Sequence, residues 1–416
     1  MRYSLVFILF VTQAFAGDWP QWRGPNHNGT TKETGLPAAW SGTENIKWRL
    51  PLPGPAPSTP VIFGDRIFLN SAEGDDLVLL AISTSGEQLW KQKLGAGNYD
   101  KREGESNAAS PSPATDGKHI WTVIGTGFIG CFTYAGERIW GFDLQERYGE
   151  IEMWWGYSSS PFLDGDRLYV QLMHARAQYV IALNKTDGSE IWRHERETDA
   201  SVESLHAYTT PLVYDYGGLR FLLIHGGDYV TAHRLDNGQE LWRSGGFQST
   251  DYNPYFRFIA SPAIDDGYIV VPSAKNGPVV CIKPVDAKGN ITTSAKDFHW
   301  KRSDNTPDVP SPLIHDGLVY LCRENGVLIC LDATTGEEYY MERTHNARHR
   351  SSPVYADGKI YIVAYDGTVT VVKAGRKFEM LAQNKMGEII SATPAISNGT
   401  IYLRTQEALY AISISK

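Results

Sequence analysis

The sequence predicts an all-β fold, an eight-bladed β-propeller of four-stranded antiparallel blades. Its main indicators are a Ser/Thr-Pro dipeptide that recurs along the chain, short runs of β-branched and aromatic residues after it, and glycine-containing turns between those runs. The prolines are 41 to 53 residues apart, and a period near 40 to 50 residues with strands inside each repeat is typical of propellers. The dipeptides are Thr59-Pro60, Ser112-Pro113, Ser160-Pro161, Thr210-Pro211, Ser261-Pro262, Ser311-Pro312, Ser352-Pro353 and Thr393-Pro394.

The segment "SPVYADGKIYIVAYDGTVTVV", residues 352–372, shows the repeated unit. Pro353 has no N–H to donate to a strand ladder and therefore belongs at the start of a strand. Asp357-Gly358 and Asp366-Gly367 predict tight turns, because glycine tolerates a positive φ. A fourth strand follows a further turn, in which Gly precedes an aromatic residue by four positions. These aromatic residues are Trp90, Trp140, Trp192, Trp242, Trp300 after an insertion, and Tyr340.

The two ends of the chain predict how the ring closes. The last repeat ends at "ALYAISISK", after its third strand, whereas "NIKWRLPL", residues 45–52, is a lone strand that carries Trp48 before the first repeat. Unpaired strand edges promote aggregation, so the N-terminal strand is expected to complete the last blade. The predicted propeller therefore spans residues 44–416, and residues 17–43 form an N-terminal extension.

Residues 1–16 predict a secretory signal peptide. Arg2 precedes an apolar run too short to span a bilayer, and Ala14-Phe15-Ala16 suits cleavage near Ala16. The mature chain is therefore expected to be exported, periplasmic or extracellular, and soluble. Without Arg2 it has 38 basic and 47 acidic residues, a formal charge of −9, which argues against a general nucleic-acid binder.

The four cysteines are expected to be buried thiols more than a disulfide framework. Cys131, Cys281 and Cys330 share one repeat position with alanines such as Ala81 and Ala182, which predicts a small buried side chain on the third strand. Cys322 lies on the strand that pairs with the strand of Cys330, so one bridge within that hairpin stays open as an alternative.

Other motifs are better explained by structure than by chemistry. "GTGFIG", residues 125–130, fits a nucleotide-binding pattern, but it occupies a predicted hairpin with no helix after it. The blade-end tryptophans are expected to pack between neighbouring blades. His345 and His349 have a spacing that suits metal ligands on a helix, yet they lie in a loop with no third ligand, so no metal site is predicted.

The loops that lead into each Ser/Thr-Pro dipeptide, the lead-in loops, break the repeat pattern. In a propeller these loops converge at one rim of the central channel, and variable loops on a repeated scaffold are where binding usually occurs. We therefore predict a binding site at the channel mouth, although such side chains can also simply fill it. Its candidate residues are Trp154, Trp155, Tyr157, His206, Tyr208, Tyr255, Arg257, Arg348, His349 and Arg350.

Eight repeats with a Ser/Thr-Pro start and Gly followed four residues later by Trp resemble the pyrroloquinoline-quinone-type (PQQ-like) propeller repeat family. The opening "DWPQWRGPNHNG", Asp18 to Gly29, is similar to the N-terminal segment of secreted members. The resemblance covers residues 44–416 and implies the fold strongly. The family includes quinoprotein alcohol dehydrogenases, which hold PQQ and calcium on the ring axis under a disulfide between adjacent cysteines, and non-enzymatic members of the BamB type.

This chain has no adjacent cysteine pair, no C-x-x-C-H motif and no acidic cluster that would supply the six to eight oxygen ligands of calcium. The expectation is a non-enzymatic module without a cofactor that binds or scaffolds another envelope protein or an extended polypeptide. The alternatives are a PQQ- and calcium-dependent alcohol or sugar dehydrogenase with an atypical site, and a carbohydrate- or polymer-binding propeller.

Overall fold

A computed structural model of the chain describes residues 17–42, 44–102, 104–245, 247, 253–274, 277–294 and 296–414. The predicted signal peptide, residues 1–16, lies outside this part of the chain. Within it, no helix is both long enough and apolar enough to span a bilayer.

Eight sheets form the blades, and the innermost strand of blade one contacts those of blades two and eight, which closes the ring. Blade one has strands Val61–Phe63, Arg66–Glu73, Asp76–Ser83 and Gln88–Ala96. Blade two has Ala114–Thr115, His119–Val123, Phe128–Thr133 and Arg138–Asp143. Blade three has Phe162–Asp164, Arg167–His174, Ala177–Asn184 and Glu190–Glu195. Blade four has Leu212–Tyr216, Leu219–Gly226, Tyr229–His233 and Glu240–Ser244.

The second half of the ring repeats this order. Blade five has Ala263–Asp265, Tyr268–Val271, Val279–Ile282 and Phe298–Arg302. Blade six has Leu313–His315, Leu318–Cys322, Val327–Asp332 and Glu338–Arg343. Blade seven has Val354–Ala356, Lys359–Val363, Thr368–Lys373 and Met380–Lys385. Blade eight has Ala395–Ser397, Thr400–Arg404 and Ala408–Ile412, with Ile46–Pro51 as its outer strand. The predicted eight-bladed propeller is confirmed.

The N-terminal strand closes the ring as the sequence predicts. It pairs antiparallel with the last strand of the chain, with Trp48 opposite Ala411 and Leu50 opposite Leu409. The outer edge of blade eight is therefore occupied, so strands from the two ends of the chain share one sheet.

Short additional elements lie in the connections. They are an α-helix at Leu144–Tyr148, a 3-10 helix at Val202–Leu205, a two-stranded hairpin of Asp100–Arg102 and Ser106–Asn107, and a strand at Gly289–Asn290. The last of these comes from the insertion in blade five and pairs in parallel with Trp242 and Arg243. It makes the sheet of blade four five-stranded, which the repeat pattern did not predict.

The Ser/Thr-Pro dipeptides link the blades at the axis. The backbone N–H of the Ser or Thr in blades one to seven donates to the side-chain hydroxyl of the equivalent residue in the next blade, at 2.9 to 3.2 Å. This bond forms seven times, from Thr59 to Ser112 through to Ser352 to Thr393. The proline that follows keeps the preceding residue extended. We call these eight Ser and Thr residues the hydroxyl ring.

The blade-end tryptophans join the blades further from the axis, as predicted. The Nε1 atom of Trp90 donates to the carbonyl of Tyr134 in the next blade at 3.2 Å, and the ring covers Gly136, where a Cβ would lie 2.8 Å from the indole. The pairs Trp48–Gly86, Trp140–Gly188, Trp192–Gly238 and Trp300–Gly336 have the same arrangement. The glycine of each Gly-turn therefore receives the tryptophan of the preceding blade.

All four cysteines are buried and free. Cys131, Cys281 and Cys330 lie opposite Trp140, Trp300 and Tyr340 on the fourth strands, which confirms the predicted small-residue position. The bridge that the sequence left open does not form, because Cys330 is in register with Tyr320 and Cys322 with Leu328.

Residues 17–42, the N-terminal segment, cross the face of the ring opposite the lead-in loops. There they contact the innermost strands and the turns that follow them. Gln21 exchanges hydrogen bonds with the backbone of Leu163, and Glu33 accepts from the N–H of Gly399 at 2.6 Å. Further contacts reach Ile62, Thr115, Ile264, Pro312 and Tyr355. One extended segment thus touches seven of the eight blades.

Removing the closing tryptophan should weaken the ring. Trp48 packs against Tyr402 at 6.0 Å between ring centroids and donates to Thr84 of blade one at 3.0 Å. We expect Trp48→Ala to lower the free energy of unfolding by about 2–3 kcal/mol, because a half-buried indole and a contact between blades are lost. Urea denaturation measures this, and Lys47→Ala on the exposed face of the same strand should change it by about 0.5 kcal/mol or less. Equal losses for the two variants would contradict this account of ring closure.

Buried imidazoles should make the fold sensitive to mild acid. Burial lowers the pKa of five histidines to about 3 or about 4; these are His27, His174, His225, His233 and His349. Below pH ~6.5 the unfolded chain binds protons that the folded chain does not, so their contribution to stability is present above that pH and is lost as the pH falls. Asp18, Asp265 and Asp308, whose pKa is raised by burial, act in the opposite direction.

A variant isolates one imidazole from this sum. Between pH 7.5 and pH 4.5 the unfolding free energy of the unmodified chain should fall by about 2 kcal/mol more than that of His225→Gln, because Gln takes up no proton on unfolding. The measurement is the urea midpoint and slope of both proteins at the two pH values. The same loss in both would mean that His225 takes up its proton in the folded chain as readily as in the unfolded one.

Candidate functional site

A second ring of side chains lies directly above the hydroxyl ring. Alternate residues of an extended chain face the same side, so the residue two positions before each Ser or Thr also faces the channel. We call this set the collar. Its members are Pro57, Ser110, Ser158, Tyr208, Ile259, Val309, Arg350 and Ser391. Arg350 is the charged member among mostly small or apolar side chains.

Two cavities share the collar as part of their lining, and together we call them the shaft. The upper cavity, about 180 Å³, is lined by the collar and by residues of the lead-in loops, namely Arg102, Glu105, Ser106, Trp155 and Arg257. The lower cavity, about 120 Å³, is lined by the collar, by seven members of the hydroxyl ring and by Trp22. Trp22 belongs to the N-terminal segment, which lies across that end of the ring. The shaft is therefore accessible from the side of the lead-in loops.

Polar contacts connect the lead-in loops around the mouth of the shaft. Glu105 accepts from Arg102 at 2.9 Å and from Arg350 at 2.9 Å, and the guanidinium of Arg102 lies 5.9 Å from the ring centroid of Trp155. Trp155 in turn donates through Nε1 to Glu203 at 2.7 Å. These residues come from the loops that lead into blades two, three, four and seven.

The circle closes on its other side through Arg257. Its Nε atom lies 3.6 Å from Glu203, and its Nη2 donates to Asp308 at 3.2 Å. Asp308 is a neighbour of Glu324, and Glu324 lies 3.5 Å from Nη1 of Arg350. We call this circle the polar rim; it comprises Arg102, Glu105, Trp155, Glu203, Arg257, Asp308, Glu324 and Arg350.

Burial and neighbouring charges shift the pKa of Asp308 in the polar rim. Asp308 is almost fully buried, and burial together with the neighbouring Glu324 raises its pKa, although Arg257 acts against this shift. Glu105 has arginine partners in Arg102, Arg348 and Arg350. On that side of the mouth, positive charge therefore exceeds negative charge.

Arg350 has hydrogen-bonding capacity that the described residues do not use. Its side chain is 6% exposed, and its Nη2 pairs with Glu105. Within the described part of the chain, its Nε atom has no hydrogen-bond partner, and its Nη1 lies 3.5 Å from Glu324 without a hydrogen bond. An unsatisfied buried guanidinium is costly, and Arg350 is one of the residues that line both cavities of the shaft.

Trp154 and Tyr255, two of the predicted mouth residues, form an exposed aromatic pair just outside the polar rim. Their side chains are 47% and 58% exposed, and their ring centroids are 6.4 Å apart. The edge of Trp154 also contacts His206 at 5.7 Å. Arg348, half exposed, pairs with Glu105 at 2.5 Å.

The remaining predicted residues lie deeper. Trp155, Arg257 and Arg350 belong to the polar rim, and Tyr208 lines the shaft while its hydroxyl accepts from the N–H of Trp155 at 3.3 Å. The structure places the others in the packed interior beside the mouth. Tyr157 donates to the carbonyl of Gln171, His349 bonds the carbonyl of Ala347 at 2.9 Å, and His206 accepts from the N–H of Trp154 at 3.4 Å.

The sequence interpretation missed the acidic half of the site. Glu105, Glu203, Asp308 and Glu324 were not among the predicted residues, and neither was Arg102. A signal for the collar was present, because its members share one repeat position relative to the Ser/Thr-Pro dipeptide. For the acidic residues of the rim no comparable periodic signal exists, since they come from loops of different length.

The side chains at the mouth do not fit the metal half of a quinone site. The carboxylates of the polar rim are engaged by arginines, and among the described residues no three His, Cys, Asp or Glu side chains could jointly hold a metal ion. The cysteines lie inside the blades. The upper cavity is also below the ~300–1,000 Å³ usual for pockets that hold drug-sized ligands. His345 pairs with Asp366 at 2.8 Å, so it and the buried His349 do not form a joint metal site.

Solved structures share the fold at low sequence identity. BamB from Moraxella catarrhalis superposes with a TM-score of 0.65 at 13% identity, covering 89% of this chain and 97% of that one. A europium-containing methanol dehydrogenase has a TM-score of 0.73 at 12% identity, with 95% and 89% covered. A quinohemoprotein alcohol dehydrogenase from Pseudomonas putida has a TM-score of 0.68 at 11% identity, with 96% and 81% covered. These likenesses show the fold alone.

The sequence itself matches one family. No curated protein sequence matches the chain. A family model described as outer membrane protein assembly factor BamB matches residues 76–337 and 297–416, which include blades two to seven, the last two strands of blade one and the three C-terminal strands of blade eight. The chain therefore belongs to this BamB-like family of PQQ-type propellers.

Proposed function

We propose that this chain is an exported, non-enzymatic propeller that binds an extended polypeptide segment of another envelope protein at the mouth of the shaft. The observation that carries the proposal is the exposed pair of Trp154 and Tyr255 beside a shaft that is accessible from that side. Large aromatic rings on a rigid scaffold are the side chains that dominate binding hot spots.

The mouth is built for binding more than for acid-base catalysis. Glu203 and Asp308 both pair with Arg257, and Glu105 pairs with three arginines. A general base must reach a substrate proton, and these carboxylates instead connect one loop to the next through ion pairs. The polar rim thereby fixes the loops that present the aromatic pair.

The family match and the predicted signal peptide support the proposal that this chain is an exported, protein-binding propeller. The description of the matching family names an outer-membrane protein assembly factor. From that description we extend only a protein-binding role to this chain. The predicted signal peptide supports export. The absence of PQQ and calcium stays a prediction, supported by the engaged carboxylates and the size of the upper cavity.

The test is selection of peptides followed by substitution at the mouth. Random peptides displayed on phage should yield binders, and replacing both Trp154 and Tyr255 by Ala should weaken the best synthetic peptide about tenfold or more, because two anchors are lost. Each single substitution should cost about 1 kcal/mol or less in unfolding free energy, since both side chains are largely exposed. Fluorescence anisotropy measures the affinity and urea denaturation the stability.

Two controls make the result specific. Tyr216, 41% exposed in blade four on the opposite face, should tolerate Tyr216→Ala without loss of peptide affinity. Trp242→Ala should destabilise the fold by about 3 kcal/mol or more, since that side chain is 2% exposed. A chain that binds no peptide but binds oligosaccharides through Trp154 and Tyr255, or that binds PQQ with calcium and oxidises alcohols, would overturn the proposal in favour of one of those functions.

A further inference from the structure

The hydroxyl ring and the collar both offer hydrogen-bond donors to the shaft. Each hydroxyl from Ser112 to Thr393 in the hydroxyl ring accepts an N–H from the preceding blade, and among the described residues none of these hydroxyl protons has a recorded acceptor. A Ser or Thr hydroxyl that already accepts still has one proton to donate. Above this ring, the Nε of Arg350, which has no hydrogen-bond partner among the described residues, adds a charged donor.

The shape of the shaft restricts what can reach these donors. Trp22 and the N-terminal segment lie across the far end, while the closed polar rim surrounds the near end. A chain that passes through is therefore excluded, and a chain that enters and returns would place two strands inside a rim that encloses only about 180 Å³. A single chain end fits this geometry. The walls around it, formed by Pro57, Tyr208, Ile259 and Val309, are apolar.

The two chain ends differ in charge, and the shaft distinguishes them. Arg350 is the cation of the collar, and the hydroxyl protons below it also favour an acceptor. The negative groups that face Arg350 are Glu105, which Arg102 and Arg348 also bind, and Glu324, which lies 3.5 Å from its Nη1. A carboxylate would be stabilised by charge-assisted hydrogen bonds here, whereas a protonated amine would meet a guanidinium.

We propose that the shaft binds the free C-terminal carboxylate of a partner polypeptide, with Arg350 as its charged partner and a small or apolar last side chain against the collar. This proposal rests on the proposed function, because it assigns to the same mouth the class of peptide that it takes. The aromatic pair outside the rim would contact residues further from the terminus.

The experiment compares chain ends on one peptide. Random heptapeptides are displayed in two formats, one with a free C-terminus and one with the C-terminus attached to the support, and we expect the first format alone to yield binders to the full chain. The best sequence is then synthesised as the free acid, as the C-terminal amide, and as the amide with Glu as its last residue. The free acid should bind about tenfold or more tighter than either amide, measured by fluorescence anisotropy.

Two variants assign the preference to the proposed side chain. Arg350→Gln should remove most of the difference between acid and amide, and Arg350→Lys should restore part of it. Arg348→Gln is the matched control, since Arg348 also pairs with Glu105 but does not line the shaft, and it should keep the full difference. Thermal melts verify folding. If Arg350→Gln does not fold, the comparison of acid and amide on the unmodified chain still decides the question.

The outcomes separate this proposal from the proposed function. Peptides that bind equally well as acid and as amide, or that are selected only with an attached C-terminus, would overturn the carboxylate proposal while peptide binding stands. An amide ending in Glu that equals the free acid would assign the site to an acidic side chain, and N-acetylalanine binding as tightly as the peptide would assign it to small acids; both contradict the proposal. If no peptide binds in either format, both proposals fail.

Discussion

The hydrogen bond from the Ser or Thr N–H of blades one to seven to the next blade's hydroxyl is the interaction on which the rest of the structure depends. It places eight chemically similar residues at one height on the axis and fixes the rotation of each blade relative to its neighbour. Because the chain is extended there, the residue two positions earlier is also fixed at one height. The collar, the shaft and the start of every lead-in loop therefore follow from one repeated bond.

The blades were predictable because their determinants are local and repeated. Strand, turn and Gly-Trp spacing recur in each repeat, and even the closing strand could be inferred from what the last repeat lacks. The insertion in blade five shows the limit: Gly289 and Asn290 pair with Trp242 and Arg243 of a neighbouring blade, and nothing in their own sequence indicates that partner. The same holds for the bridge left open between Cys322 and Cys330, which only the register decides.

The candidate site was half predictable for a related reason. Aromatic and arginine side chains in the lead-in loops point to a mouth, and the structure brings several of them together there. Their acidic partners lie in other loops, so Glu105 meets Arg350 across 245 positions of sequence and Trp155 meets Glu203 from the next loop. Such contacts depend on where the ring places each loop, and no periodic pattern encodes them. The rim therefore forms only when the ring is closed.

The N-terminal segment gives the chain an unusual order of assembly. This segment precedes the blades in the sequence, yet Glu33 accepts from the N–H of Gly399, and the strand Ile46–Pro51 that follows the segment pairs with Ala408–Ile412 of blade eight. Contacts with so large a sequence separation carry a high loop-closure entropy and form late. The beginning of the chain therefore has to remain without its partners until blade eight exists. During that interval a chaperone would have the largest unpaired surface to protect. A chain that lacks blade eight would leave the strand Ile46–Pro51 without its partner.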